Sequence, residues 1–312
     1  NTKKSALEIS KLINENKIFC FHLSTSMCPE HRSKVLNKML STLSDSRNGK
    51  GKPVICVSTQ LIEAGVNIDF DSVFRLTAGL DSITQAAGRC NRNGLLKNKG
   101  NVYIINSNEE NLTKLKEIQS GKEITERILN EYSSNPEEFD FDLLSPKAIE
   151  KYFECYFYME KDRMSYNINL NEYGISTTIR DLLAVNKKAC QAADNVKPLI
   201  RGQLNQSFMT AGKYFKVIDG YSQGVIVSYG AGKEIISKLC ATDSLFEKLE
   251  LLKKAQRFSV NILPYQLENY QKIGAIKETT QGSGIFFLNE QFYDENSFGL
   301  LKEPKELETI II

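Results

Sequence analysis

The pattern of apolar and polar positions divides the chain into two textures. In the first third, short apolar runs alternate with amphipathic stretches. Lys3 to Asn14 repeats apolar residues at helical spacing and predicts a helix, and Ile18 to Leu23 reads as a buried strand. Pro29 stands where a first-turn proline opens a helix, here running to about Leu43. Ser44 to Pro53, rich in Gly, Ser, Asn and Lys, predicts a surface loop. Val54 to Val57, Val73 to Leu76 and Val102 to Ile105 are further β-branched runs. Short strands separated by helices predict right-handed crossovers and a parallel sheet. Ligands bind such a sheet beyond the carboxyl ends of its strands, so the residues following each strand are candidate functional positions.

Beyond Ser107 the texture changes. Glu109 to Tyr132 is a charged helical stretch, and Ser133 to Leu144, with Ser-Ser-Asn-Pro and an acidic run, predicts a connector. Pro146 to Lys161 is helical and crowded with Tyr152, Phe153, Tyr156, Phe157 and Tyr158. From about Val196, strands (Gly224 to Tyr229, Phe258 to Ile262, Ile285 to Leu288) mix with helices (Lys233 to Cys240, Leu245 to Ala255, Pro264 to Ile273). The expected fold class is α/β: a parallel-sheet domain flanked by helices over 1–132, a helical linker over 133–195, and a smaller α+β domain over 196–312.

Composition narrows the function classes. At 312 residues, 41% hydrophobic and 25% charged, the chain is an ordinary globular protein. No apolar run approaches the roughly 20 residues that span a bilayer. The start, Asn1-Thr2-Lys3-Lys4, has no apolar signal core and no initiating Met, which fits a piece of something longer. A net charge of +2 does not by itself argue for nucleic acid. Seven scattered cysteines without a C-x-x-C pair fit a reducing cytosol. With only His22 and His31, an imidazole metal centre is not expected.

Chemistry concentrates in two segments. The first is Asp81-Ser-Ile-Thr-Gln-Ala-Ala-Gly-Arg-Cys-Asn-Arg-Asn-Gly94, with Asp81 as an N-cap and Gly94 as a terminator. On a helix of about 100° per residue, Gln85, Arg89 and Arg92 fall within about 60° of one another. Ile83, Ala86, Ala87 and Cys90 form an opposite apolar seam. Two guanidiniums on one face suit phosphate oxygens, above all a transferring phosphoryl group whose negative charge needs positioned cations. The plainer alternative is a solvated face paired with local carboxylates.

The second segment is Val57-Ser-Thr-Gln-Leu-Ile-Glu-Ala-Gly-Val-Asn-Ile-Asp-Phe70. Ser58 and Thr59 stand at the start of an expected short helix ending at Gly65, where hydroxyls beside free N–H groups would hold a nucleic-acid phosphate. Asn67 and Asp69 follow in an irregular turn, placed to meet a ribose or a water near a nucleotide. The alternative is that Ser58 and Thr59 only cap a structural helix.

Together these segments resemble motifs V and VI of superfamily 2 helicases, with Gln85-x-x-Gly88-Arg89-x-x-Arg92 as motif VI. The wording VSTQLIEAGVNIDFD followed by GLDSITQAAGRCNRNG is similar to the CRISPR-associated helicase–nuclease of type I systems. So are NTKKSA at the start, FHLSTSMCPEHR at 21–32, Ser222-Gln223-Gly224-Val225-Ile226-Val227, and KAQRFSVNILPYQ at 254–266. The resemblance implies a second RecA-like motor domain followed by an accessory domain. It also implies a role in an ATP-dependent single-stranded-DNA translocase or helicase of CRISPR interference and antiviral defence. Its implied partners are single-stranded DNA, the CRISPR surveillance complex, and the parent's own N-terminal nuclease and first RecA-like domains. ATP would be shared with that first domain, and Mg2+ held there.

By the same resemblance Arg92 is the arginine finger, Arg89 lies beside it, and Gln85 bridges the nucleotide and the DNA side. Ser58, Thr59, Ser24 and Thr25 contact the single-strand backbone. The family usually has Asp where this chain has Asn67, which removes a carboxylate; Asp69 is retained. No G-x-x-x-x-G-K-[ST] occurs: none of the Gly-Lys pairs beginning at 49, 51, 121, 212 and 232 is followed by Ser or Thr. An Asp-Glu box and a His-Asp nuclease cluster are missing too, so no ATP turnover is expected from this chain alone. The rivals are another superfamily 2 translocase, or a stand-alone binding module without catalysis. His22, the solvated Arg32 and Lys34, the aromatic helix, Lys187-Lys188 and Arg201 are read as structural or commonplace.

Overall fold

The computed structural model describes residues 1–16, 18–63, 65–107, 109–171, 174–187, 190–191, 205–216 and 222–305. Lys188, Arg201 and the expected boundary at 195/196 lie outside them. The first elements are α1 (Lys3–Glu15), β1 (Cys20–Leu23), α2 (Pro29–Arg47), β2 (Ile55–Ser58), β3 (Ser72–Leu76), α3 (Leu80–Ala87), β4 (Asn101–Ile105) and α4 (Lys116–Ser134). Next come α5 (Pro146–Glu160), β5 (Asn167–Leu170), β6 (Ile175–Thr178), α6 (Ile179–Leu183) and α7 (Phe208–Tyr214). Last are β7 (Gln223–Ile226), α8 (Gly232–Ala241), α9 (Leu245–Ala255), β8 (Ser259–Ile262), α10 (Pro264–Lys272), β9 (Ile276–Glu278), β10 (Phe286–Leu288), β11 (Tyr293–Asp294) and β12 (Gly299–Leu300).

The early strands pair in parallel, as the alternation with helices predicts. β1 and β2 run from Cys20↔Ile55 to Leu23↔Ser58, and β3 and β4 from Ser72↔Asn101 to Leu76↔Ile105. They are hydrogen-bonded as two separate pairs. Helix α2 extends to Arg47, into the expected loop, because Ser44 to Arg47 contain no glycine or proline to stop it. Its end is followed by Gly49 at φ +71°. Phe21, Leu23, Met27, Met39 and Ile68 are buried together, with Val35, Leu36, Cys56, Leu61 and Val66 packed around them.

The chain packs as two compact units, residues 1–126 with 221–312, and residues 127–220. This grouping joins the two ends of the chain, where the sequence pattern sets out three consecutive segments. In the first unit, the C-terminal strands form a mixed sheet in the order β8-β7-β10-β9, with only β7 and β10 parallel. One face buries Val225, Val227, Val260, Ile262 and Leu288 with Cys28, Phe292 and Tyr293. The other packs Ile226 against Ile235 and Leu239 of α8 and Leu251 and Ala255 of α9.

In the second unit Tyr152 of α5 is 3% exposed, so part of the aromatic run is core. Phe157 and Tyr158 are exposed, with the Lys161 ammonium 4.7 Å above the Tyr158 ring. The stretch expected as a helical linker also carries a hairpin, β5 against β6, which alternates buried Ile168 and Leu170 with exposed asparagines. These pack with Ile179, Leu182 and Ala211.

Candidate functional site

The residues that follow β1 and β2 lie side by side because Leu23 pairs with Ser58 at the strand ends. The Thr59 N–H donates to the Leu23 carbonyl at 3.2 Å, and so does the Ser58 hydroxyl at 3.0 Å. After β1 the chain turns tightly: Met27 N–H donates to the Ser24 carbonyl at 3.2 Å, and Ser26 N–H to Ser24 Oγ at 3.3 Å. Ser24 is 1% exposed. Ser24 and Ser58 therefore use their hydroxyls to shape the backbone, whereas Thr25 is exposed and Thr59 half-buried. The expected helix after Thr59 is a single 3₁₀ turn, Gln60–Ile62, with Thr59 as its N-cap and no side-chain cap bond. One turn carries too few aligned peptides for a useful dipole, so the hydroxyls and not a helix terminus are what this edge offers.

The motif VI segment departs from the helix expected over 81–94. α3 ends at Ala87, with Gly88 as C-cap, so Gln85 lies on the helix while Arg89 and Arg92 lie beyond it. Two interactions explain the break. Cys90 bridges Phe70: Phe70 N–H donates to the Arg89 carbonyl and Asn91 N–H to the Phe70 carbonyl, both at 2.8 Å. Asn91 turns the chain with φ +45°. The Arg89 side chain then runs inward. It is 7% exposed, and its Nε and Nη2 donate to the carbonyls of Ile62 and Glu63 at 2.9 and 2.6 Å. The two guanidiniums do not share a face: Arg89 braces the loop after β2, and Arg92 is exposed and unpaired among the described residues.

Asp69 organises the turn that carries Arg92. Its carboxylate is buried, accepts the Arg92 N–H at 2.7 Å and the Asn93 N–H at 3.3 Å, and pairs with Arg47 at 3.2 Å. Asn67 and Gln85 are exposed.

A second connection between the two segments involves residues that the sequence pattern did not single out. Arg75 on β3 pairs with Glu63 at 2.9 Å and donates to Ser82 Oγ at 2.7 Å, while Ser82 donates to the other Glu63 oxygen at 3.0 Å. Burial raises the Glu63 pKa, opposed by Arg75 and the Ser82 hydrogen bond. The signal was present: Glu63 and Arg75 are lone charges in apolar runs, and such charges are buried only when paired.

Residues 1–95 match the family model described as CRISPR-associated nuclease/helicase Cas3, C-terminal. A curated relative, the CRISPR-associated nuclease/helicase Cas3 of Haloferax volcanii, is 43% identical over 68 residues, which are 22% of this chain and 7% of that protein. The chain is similar to the C-terminal part of Cas3. Among solved structures, the T. fusca Cas3-AMPPNP crystal structure aligns with 84% of this chain and 31% of its own, at 13% identity and a TM-score of 0.50, and supports the fold. The Cas3-ATP structure of the same protein aligns over the same shares with a TM-score of 0.48. The chain thus spans less than a third of the length of these Cas3 proteins.

Proposed function

We propose that this chain is the second RecA-like domain (1–132), linker (133–195) and accessory domain (196–312) of an ATP-dependent single-stranded-DNA translocase of CRISPR interference. The preceding part of the parent would supply the phosphate-binding loop, Mg2+ ligation and the nuclease. The observation that carries this reading is Arg92: an exposed guanidinium on a turn fixed by Asp69, next to a helix bearing exposed Gln85. Its charge suits a triphosphate, which when bound would supply the phosphoryl group whose transfer drives movement.

In this reading Arg92 stabilises charge on the nucleotide from this side, and Gln85 with Asn67 lines the same edge. Arg89 and Asp69 hold the loop and turn in place. Thr25 and Thr59 grip the DNA backbone, with Ser24 and Ser58 shaping the two turns that carry them. The similarity to Cas3 supports the surveillance complex as partner and the cytoplasm as site of action in this reading; no helix among the described residues is long and apolar enough to cross a membrane.

The test joins this chain to a family first RecA-like domain and measures DNA-stimulated ATP hydrolysis. Arg92→Ala should lower turnover by about 10³-fold or more, the scale of arginine fingers. The chain alone should be inactive and should bind oligothymidylate weakly, with affinity falling steeply as salt rises. Hydrolysis by the chain alone, abolished by Arg92→Ala, would overturn the split. Full activity of the joined Arg92→Ala protein would remove Arg92 from the nucleotide site, and no DNA-stimulated hydrolysis by the unsubstituted joined protein would leave a stand-alone binding module as the better account.

A further inference from the structure

The turn after β1 is held from outside as well as by its own hydrogen bonds to Ser24. The hairpin β11–β12, paired Tyr293↔Leu300 and Asp294↔Gly299, folds back onto it from the other end of the chain. The Tyr293 ring is fully buried; its hydroxyl accepts the Cys28 N–H at 3.1 Å and meets His31 Nδ1 at 3.0 Å. His31 stacks on Tyr229 with ring centroids 4.5 Å apart, and its pKa is pushed down to about 4, chiefly by burial. The Cys28 N–H, the Tyr293 hydroxyl and the His31 imidazole thus form one connected hydrogen-bonded chain. Further along, Leu300 N–H donates to the Ser26 carbonyl at 2.8 Å.

Gly299 makes this approach possible. Its φ is +75°, and a Cβ there would lie 2.4 Å from the Ser26 carbonyl oxygen and 2.9 Å from Met27 Cα. Any side chain would push the hairpin off the turn. Asp294 closes the hairpin by accepting the N–H groups of Asn296 and Phe298, and the Phe298 ring lies edge-on to His22 with centroids 5.4 Å apart. The Ser26 carbonyl and the Cys28 N–H are thus both bonded from residues 293–300.

We propose that the β11–β12 hairpin belongs to the nucleic-acid grip, with Tyr293 and Gly299 as positioning residues that fix the Ser24–Cys28 turn in the shape that presents Thr25. This deepens, and rests on, the reading of Thr25 as a DNA-backbone contact. The partner acted on is a single-strand phosphate, and the hairpin itself does not touch it.

The experiment uses the full chain, a fluorescein-labelled oligothymidylate in low salt, and amide exchange over residues 22–30. Tyr293→Phe and Gly299→Ala should speed exchange of the Ser26–Cys28 amides about tenfold or more, the scale of one lost hydrogen bond. Both should weaken DNA binding several-fold. Ile168→Val, which thins the core of the other unit, should change neither. Thr25→Val should weaken binding in the unsubstituted chain but add little in the Tyr293→Phe chain, because both act through one contact. Additive losses, or unchanged affinity in the two hairpin variants while Thr25→Val still weakens binding, would reduce the hairpin to a structural prop. Absence of salt-sensitive binding by the unsubstituted chain, or a silent Thr25→Val, would overturn the grip itself, whatever the exchange rates show.

Discussion

Arg89 and Arg92 have the same side chain three positions apart, and their surroundings give them opposite duties. Arg89 is buried with its donors on two main-chain carbonyls. Removing it strands acceptors that cost roughly 1–3 kcal/mol each. Arg92 is exposed, and surface changes away from special features stay within about 0.5 kcal/mol. Urea denaturation should therefore find Arg89→Ala clearly destabilised and Arg92→Ala close to the unsubstituted chain, whereas the role proposed for Arg92 would show in ATP turnover instead. Lysine does not rescue Arg89, since one ammonium cannot span two carbonyls as the guanidinium fork does. The two histidines act at the same scale. His22, bonded to Ser10 Oγ at 2.9 Å, and His31 are both held neutral, with pKa values lowered from 6.5 to about 4 mainly by burial. As pH falls, the unfolded chain takes up protons first. Their contribution to stability is therefore complete above about 6.5 and is lost progressively toward pH 4. His31→Gln, which keeps an acceptor without the charge change, should flatten the fall in urea midpoint between pH 7 and 4.5; an unchanged slope would assign the acid sensitivity elsewhere.

Among the elements, helix α3 shows where sequence pattern gives out. Gly88 sits at φ −64°, and a Cβ added there would meet nothing closer than 3.4 Å, so the site tolerates alanine. Gly88→Ala should raise stability by about 0.4–1 kcal/mol by restricting the unfolded chain. A large loss would mean that the helix end is not as described. The strands and their parallel pairing were readable, because short-range periodicity and β-branched runs encode them directly; the helix start was readable only to within two residues, since Gly79 is the N-cap and Asp81, expected there, lies in the first turn. The helix end was not: it is set by Phe70 pairing with Cys90 and by carbonyls of Ile62 and Glu63, partners that a window on 81–94 cannot contain. The same applies to Ser24 and Ser58. Their residue type advertised phosphate contact, yet their hydroxyls serve the backbone beside them. Hairpins β5–β6 and β11–β12 escaped the pattern, the first for its polar outer face, the second because its strands are two residues long.

At the scale of the whole molecule, the larger unit is built from both ends of the chain. Residues 1–126 made alone would leave Cys28, His31 and Lys34 without Tyr229 and Tyr293. Such a piece should lack a cooperative unfolding transition in circular dichroism, and a sharp transition would show that the first strands suffice. Consecutive domain limits are invisible to this arrangement because local pattern carries no record of which distant segment closes a core. The hydrogen bond from Cys28 to Tyr293 joins residues 265 apart. At about 5–20 residues per second, a ribosome needs roughly 13 to 53 s to make what lies between them. The Cys28 N–H and the His31 ring must wait that long for their partners. Synthesis is therefore a window in which this unit stands open to chaperones and aggregation, and slowing translation between the codons for residues 28 and 293 should lower soluble yield more than slowing it before the codon for residue 20.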